Sequence, residues 1–229
     1  MPPVSSARQP EHRLVEWLRE GKGRRLVTEA QRQTIPELTR VFGHAGLFLR
    51  PFPEYPQELS GNMLATVLTL GRRGDALHGQ WDCRDDALPI GSGSLSLVYS
   101  LFVLDTSPTP AALLQEIARA LKPEGIAMLV GLNRFSPSRL RWLGRPNGPG
   151  LSSLSAQARE AGLEPVRRQA LGPVWLGAKG EASGTGDRPR LFDPLSAAQM
   201  LVLRRREIPA TPIRAGAPVV GLRPGVSPG

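Results

Sequence analysis

The stretch that most limits what this chain can fold into is ARALKPEGIAMLVGLN, Ala118 to Asn133. A helical run breaks at Lys122-Pro123-Glu124-Gly125, and an almost wholly apolar segment follows at once. Upstream, Leu113, Leu114, Ile117, Ala118 and Leu121 fall on one face of a helix predicted over Pro110 to Leu121. Thr109 suits its N-cap and Pro110 its first helical position. Pro123 disfavours helix at Lys122, and Gly125 permits a tight turn. Ile126 to Leu132 is too short for most helices and too apolar for a half-exposed strand. It therefore predicts a central parallel strand, as does Leu95 to Leu104 (LSLVYSLFVL), which is apolar nearly throughout. Strand, helix, sharp turn and strand make a βαβ unit, so the expected class is α/β with a mostly parallel sheet and helices on both faces.

The flanks add elements to this frame. Arg13 to Glu20 carries Leu14, Trp17 and Leu18 at helical spacing, and Gly21-Lys22-Gly23 should end that helix. A second helix is predicted over Arg24 to Thr34, with a short further turn from Pro36. Ala45 to Leu49 has the pattern of a buried strand, stopped by the prolines of Arg50-Pro51-Phe52-Pro53. Gly61 to Leu70 reads as a strand with a helical lead-in, ended by Gly71-Arg72-Arg73-Gly74. Trp81 to Pro89 suggests a short strand end and loop. Beyond the central unit, Asn133 to Gly150 is a loop, Leu151 to Ala161 a helix, and Val166 to Leu171 and Gln199 to Arg204 late strands. The division expected is a helical extension over 1–23, a main domain over 24–206 with a flexible insertion at about 179–190, and an extended tail over 207–229.

Composition removes several function classes. The single cysteine, Cys83, excludes an internal disulfide and a cysteine-cluster metal site. His12, His44 and His78 have no ligand-like spacing, so no metal is expected. No apolar run approaches membrane-spanning length, and the start MPPVSSARQPEHR lacks a signal-peptide core, so a cytoplasmic location is expected. The net charge of +9 favours acidic partners. Nucleic acid is the minor alternative among these, because no aromatic–basic interleaving or recognition motif accompanies the charge.

The segment from Asp85 to Asn133 resembles the central part of class I S-adenosylmethionine-dependent methyltransferases, of the methyltransferase-type-11 kind. Asp85-Asp86-Ala87-Leu88-Pro89, the corner Leu104-Asp105 and the turn Leu121-Lys122-Pro123-Glu124-Gly125 hold the places of that family's frame. Weaker likeness to one bacterial subgroup extends through VFGHAGLFLR, Asn133-Arg134-Phe135-Ser136 and MLVLRRREIPATPIR. The resemblance implies S-adenosylmethionine as cofactor at the C-terminal ends of the parallel strands. By position it implies contacts from Leu49 and Arg50 after the first strand, from Asp85, Asp86, Ala87 and Leu88 beside the adenine, and from Leu101. The methyl acceptor is unspecified and would dock near Asn133 to Arg141. No catalytic base is assigned, since a methyl transfer chiefly needs donor and acceptor in line.

The chain departs from the family in two places. Its first loop reads Arg50-Pro51-Phe52-Pro53-Glu54, with none of the glycines that let backbone approach the cofactor. After Leu70 come Gly71, Arg72 and Arg73 where an acid would meet the ribose hydroxyls. Arginine there suits a phosphate better than a diol, or else belongs to a solvated loop. Two readings follow: a methyltransferase with an altered cofactor loop, or a catalytically silent methyltransferase-like scaffold with a basic surface.

Overall fold

A computed structural model describes residues 10–133, 136, 151–172 and 196–206. At its centre the expected unit forms. Strand β5 (Leu95–Leu101) is buried at every position, and helix α3 (Pro110–Ala120) buries Leu113, Leu114, Ile117 and Ala118. Strand β6 (Leu121–Leu132) then begins directly where α3 ends. Leu121 already pairs with Leu95, and pairing resumes at Leu97 with Ile126, so Lys122 to Gly125 bulges out of β6. The left-handed residue in that bulge is Glu124, at φ +60°, not the glycine. Gly125 is required for a different reason: a Cβ there would stand 2.8 Å from the Lys122 carbonyl oxygen and 3.1 Å from that of Leu95.

Eight strands form one sheet in the order β4-β3-β2-β1-β5-β6-β8-β7. The four central strands, β2 (Met63–Arg73), β1 (Phe42–Arg50), β5 and β6, run parallel. The short strands β3 (Ala76–Gly79) and β4 (Cys83–Arg84) extend one edge by antiparallel pairing. On the other side, β8 (Ala198–Arg205) is antiparallel to β6, and β7 (Leu163–Leu171) is the antiparallel edge. Helices α3 and α4 (Leu151–Glu160) cover one face, where Leu113, Ile117, Leu154 and Ala158 meet Leu49, Leu70, Leu129 and Leu201. Helices α1 (Pro10–Arg19) and α2 (Gly21–Leu38) cover the other, where Leu18, Leu26 and Val27 share a core with Phe48, Tyr99 and Met128.

Several boundaries differ from expectation, for local reasons. Gly21-Lys22-Gly23 opens α2 instead of only closing α1; Glu20 is extended (φ −124°, ψ 155°), and Gly23 packs where a Cβ would stand 2.0 Å from the Trp17 carbonyl oxygen. Pro36 lies in the last turn of α2 and starts no separate turn. The predicted helical lead-in at Gly61 is absent, and β2 runs through Gly71 to Arg73 instead of stopping at Leu70. A two-residue turn at Gly74-Asp75, with Gly74 at φ +57°, then folds β3 back onto it. Strand β5 stops at Leu101, three residues early, because Phe102 takes φ +57° and a 3₁₀ turn follows over Leu104–Thr106. Thr109 sits at the α3 N-cap without a side-chain capping bond. The expected insertion at 179–190, the tail over 207–229 and most of the loop after Asn133 lie outside the described residues. No helix among the described residues is long and apolar enough to cross a membrane.

The crossover from β1 to β2 shapes the site. These strands are parallel, yet residues 51–62 join them through turns, without the helix that such connections usually carry. The loop instead buries Phe52, Tyr55 and Leu59 against the α1–α2 face.

Two tyrosines in this core titrate abnormally. Burial raises the pKa of Tyr99, whose hydroxyl is 2.8 Å from the Thr34 hydroxyl, and also that of Tyr55. Both raised values mean that the fold holds the neutral phenols, so this stability is present below the ordinary phenol range, about pH 10, and is lost as pH rises through it. Tyr99→Phe should therefore flatten the alkaline fall in melting temperature, while costing about 1 kcal/mol at neutral pH for the lost hydrogen bond. Thermal melts of both proteins across the alkaline range measure this; an unchanged alkaline slope would count against it.

Candidate functional site

Ligands of open α/β sheets sit beyond the C-terminal strand ends, at the point where the chain's direction of travel across the sheet reverses. That point lies between β1, which leads to β2, and β5, which leads to β6. Leu49 and Arg50 end β1, Leu101 ends β5, and Asn133 follows β6, so the topology brings these to one end of the sheet.

Arg50 is 2% exposed. Its Nη1 donates to the carbonyls of Pro53 (2.7 Å) and Tyr55 (2.6 Å), which fastens the short crossover to the end of β1. Burial lowers the pKa of its guanidinium. The Tyr55 hydroxyl donates to Gln31 Oε1, and the Tyr55 ring stands edge-on to Phe52, at 5.6 Å between centroids, and to Phe48. Helix α1 covers this cluster from outside: the Arg19 guanidinium lies 5.9 Å from the Phe52 ring centre and pairs with Glu54 at 3.2 Å. Leu49 and Leu101 are both fully buried, but on opposite faces of the sheet.

The end of β2 is organised by Arg72. The sequence allowed a solvated loop arginine there; the structure corrects this, for Arg72 lies in a strand and is fully buried. Its Nη2 lies 2.8 Å from both carboxylate oxygens of Asp85, which is itself 2% exposed. The Ser107 hydroxyl donates to the same carboxylate. Nε and Nη1 of Arg72 are buried without a hydrogen-bond partner. Cys83, close to this pair, has its pKa pushed up to about 11, first by burial and then by the charge of Asp85. Asp86 and Ala87, by contrast, are exposed, and Asp86 pairs with Arg84 at 3.2 Å. Leu88 turns into the core, its N–H donating to Glu116 Oε2 (2.9 Å) and its carbonyl accepting from Arg119 Nη2 (3.0 Å). The Arg119 guanidinium, which donates to both Glu116 oxygens at 2.7 and 2.8 Å, holds the Glu116 carboxyl below the usual carboxylate range, with the Leu88 N–H adding to it.

The β5–β6 side is built differently. Phe102, fully buried at φ +57°, donates its N–H to the Val130 carbonyl at 2.8 Å. Asp105 Oδ2 accepts from the Leu132 N–H (2.9 Å); a Cβ on Gly131 would stand 2.8 Å from that oxygen, so glycine is needed for the approach. Asn133 is buried, with Nδ2 donating to the Ser196 carbonyl at 2.8 Å. Three features here were not anticipated from sequence: the left-handed Phe102, the link from Ser107 to Asp85 and the covering by α1. The only local signal was the serine two residues after Asp105.

Residues 54–129 match the methyltransferase domain family. Among solved structures, a chain from the complex of the Haloferax volcanii Trm112 methyltransferase activator with a methyltransferase is similar at 14% identity. It has a TM-score of 0.58, with 87% of this chain and 98% of that one covered. The [4+2]-cyclase SpnF is similar at 17% identity and TM-score 0.53 (77% and 81% covered). An S-adenosylmethionine-dependent methyltransferase from Mesorhizobium loti is similar at 14% identity and TM-score 0.51 (77% and 96% covered). At these identities the structural likenesses show the fold. No curated protein matches. The central segment thus matches the methyltransferase domain family, and the fold is the Rossmann-like one of S-adenosylmethionine-dependent methyltransferases.

The residues do not fit the cofactor in the pose that the resemblance implied. A Cβ on Gly71 would stand 2.7 Å from Pro53 Cα, so the end of β2 is already covered by the chain's own loop. Asp85, expected beside the adenine, is engaged by Arg72 and Ser107. At the end of β2 an arginine stands where the resemblance implied an acid for the ribose hydroxyls, and the Asp85 carboxylate there is held by that arginine.

Breaking the buried pair should be costly and breaking the surface one should not. Asp85→Ala strands a buried guanidinium and should lose about 3–5 kcal/mol, whereas Asp86→Ala should change stability by less than about 1 kcal/mol. Chemical denaturation of both variants measures the contrast, and equal losses would contradict the assigned burial.

Proposed function

We propose that the protein is an S-adenosylmethionine-dependent methyltransferase acting on an acceptor that docks beside Asn133. The observation that supports this is the methyltransferase-domain match over 54–129, which runs from the crossover into β6 and takes in the ends of β2 and β5. The cofactor would be held otherwise than in the family's usual pose, because Pro53, Arg72 and Asp85 are committed to one another's surroundings. What these residues do themselves is fix the strand ends: Arg50 fastens the crossover, and Asp105 holds the backbone at Leu132 ahead of Asn133. A reducing cytoplasm belongs to this proposal, as does a soluble acceptor rather than a membrane.

A second reading, a methyltransferase-like scaffold without catalysis, is favoured by one observation, the buried Arg72–Asp85–Ser107 cluster at the place of the adenine contact. Isothermal titration with S-adenosylmethionine and with S-adenosylhomocysteine separates the two. The first reading expects saturable binding with a dissociation constant on the order of micromolar, equivalent to roughly 8 kcal/mol, and a raised melting temperature with either ligand. Absence of both heat and thermal stabilisation would overturn it in favour of the scaffold.

A further inference from the structure

A hollow of about 250 Å³ opens between α4 and the edge strand β7, at a place the preceding function does not use. Its lining includes Ser155 and Arg159 from α4, Val166, Arg167 and Arg168 from β7, and Leu201 from β8, and contains no carboxylate. Leu201 is 4% exposed and lies beneath as an apolar floor.

The charges in it are set by a β-bulge. Pro165 pairs with Leu203 and Arg167 with Val202, so Val166 is left over and Arg168 comes opposite Leu201. Without that extra residue Arg167 would take the place of Arg168 on the α4 face. Bulges commonly re-aim a side chain in this way. As built, Arg167 reaches the hollow only at its rim, and its guanidinium is neutralised by Glu37 of α2 on the other face. Arg168 stays in the hollow, with Nε and Nη2 held by the neutral Gln199 amide oxygen, which orients the guanidinium without cancelling its charge. The Arg159 side chain makes no ion pair or hydrogen bond among the described residues, although its carbonyl accepts from the Gly162 N–H. Neighbouring arginines differ: Arg206 pairs with Glu164 at 2.9 Å and Arg204 with Glu124 at 3.5 Å. Two uncompensated guanidinium groups thus share one concave, partly apolar space, and each carries the planar fork that suits an oxyanion.

We propose that this hollow is an oxyanion-binding site that takes a phosphomonoester, with the phosphate between Arg159 and Arg168 and an apolar substituent over Leu201. The assignment is independent of methyl transfer. Titration calorimetry of the full chain at low ionic strength, with phenyl phosphate and with inorganic phosphate, tests it. Saturable binding on the order of millimolar or tighter is expected, with phenyl phosphate the tighter of the two. Arg159→Ala should weaken binding by about tenfold, the scale of one charge-assisted hydrogen bond. Arg206→Ala removes the same charge outside the hollow and should leave binding within about twofold, the scale of a screened surface charge. Arg159 is exposed and its side chain has no partner among the described residues, so its variant should keep the wild-type melting temperature. No saturable heat in the wild type, no loss in Arg159→Ala, an equal loss in Arg206→Ala, or phenyl phosphate no tighter than phosphate would each overturn the proposal.

Discussion

The Arg72–Asp85 pair is the constraint around which one end of the sheet is arranged. Taking a guanidinium and a carboxylate out of water costs several kcal/mol for each ion, and only close geometry with further hydrogen bonds offsets this. Here the geometry is close, 2.8 Å to both oxygens, and Ser107 adds a third contact. Three segments are joined by it: the end of β2, the loop after β4 and the turn after β5. The compensation is incomplete, since Nε and Nη1 of Arg72 remain buried and unbonded. A buried polar cluster of this kind contributes more to fixing the arrangement of its segments than to net stability. Asp85 Oδ2 takes both hydrogen bonds, while Oδ1 is buried and accepts none among the described residues.

The short crossover has the same consequence by a different route. A parallel connection without a helix must cross the sheet end itself, and Pro51 and Pro53 remove backbone donors from it. Arg50 supplies donors in their place, and Gly71 lets the loop lie directly on β2. Phe52 and Tyr55 then fill the space beneath α1. The parallel strand order is kept, while the ends of β1 and β2 are filled by the chain's own side chains. Fold and chemistry are separable in this way because the sheet needs only its strands and covering faces to be stable.

What could be read in advance follows the range of the forces involved. Helix α3 and strand β6 were legible because leucine spacing, Pro110, Pro123 and Gly125 act within a few residues of one another. Even there the roles were exchanged, with Glu124 taking the left-handed conformation and Gly125 the close contact. Strand β3 was not legible: Ala-Leu-His-Gly carries no strand pattern, and only pairing to an extended β2 makes it one. Nor could sequence tell Asp85 from Asp86. The two are neighbours of the same type, and which is buried depends on Arg72, thirteen residues away in sequence. The missing glycines after β1 were visible, but not that the chain would use the vacated room for Phe52 and Tyr55.

The two halves of the sheet end therefore differ in kind. On the β1–β2 side, side chains are spent on one another, through Arg50 with its loop carbonyls and Arg72 with Asp85. On the β5–β6 side, backbone is held in a conformation with a cost. A buried phenylalanine at φ +57° is strained by about 1–3 kcal/mol, and the Phe102–Val130 and Asp105–Leu132 bonds, with Gly131 making room, keep it there. Strain of that size persists only where surrounding structure over-determines it. Phe102 and Asp105 thereby fix the backbone that leads to Asn133, and under the proposed function this is the half of the sheet end on which the acceptor would dock.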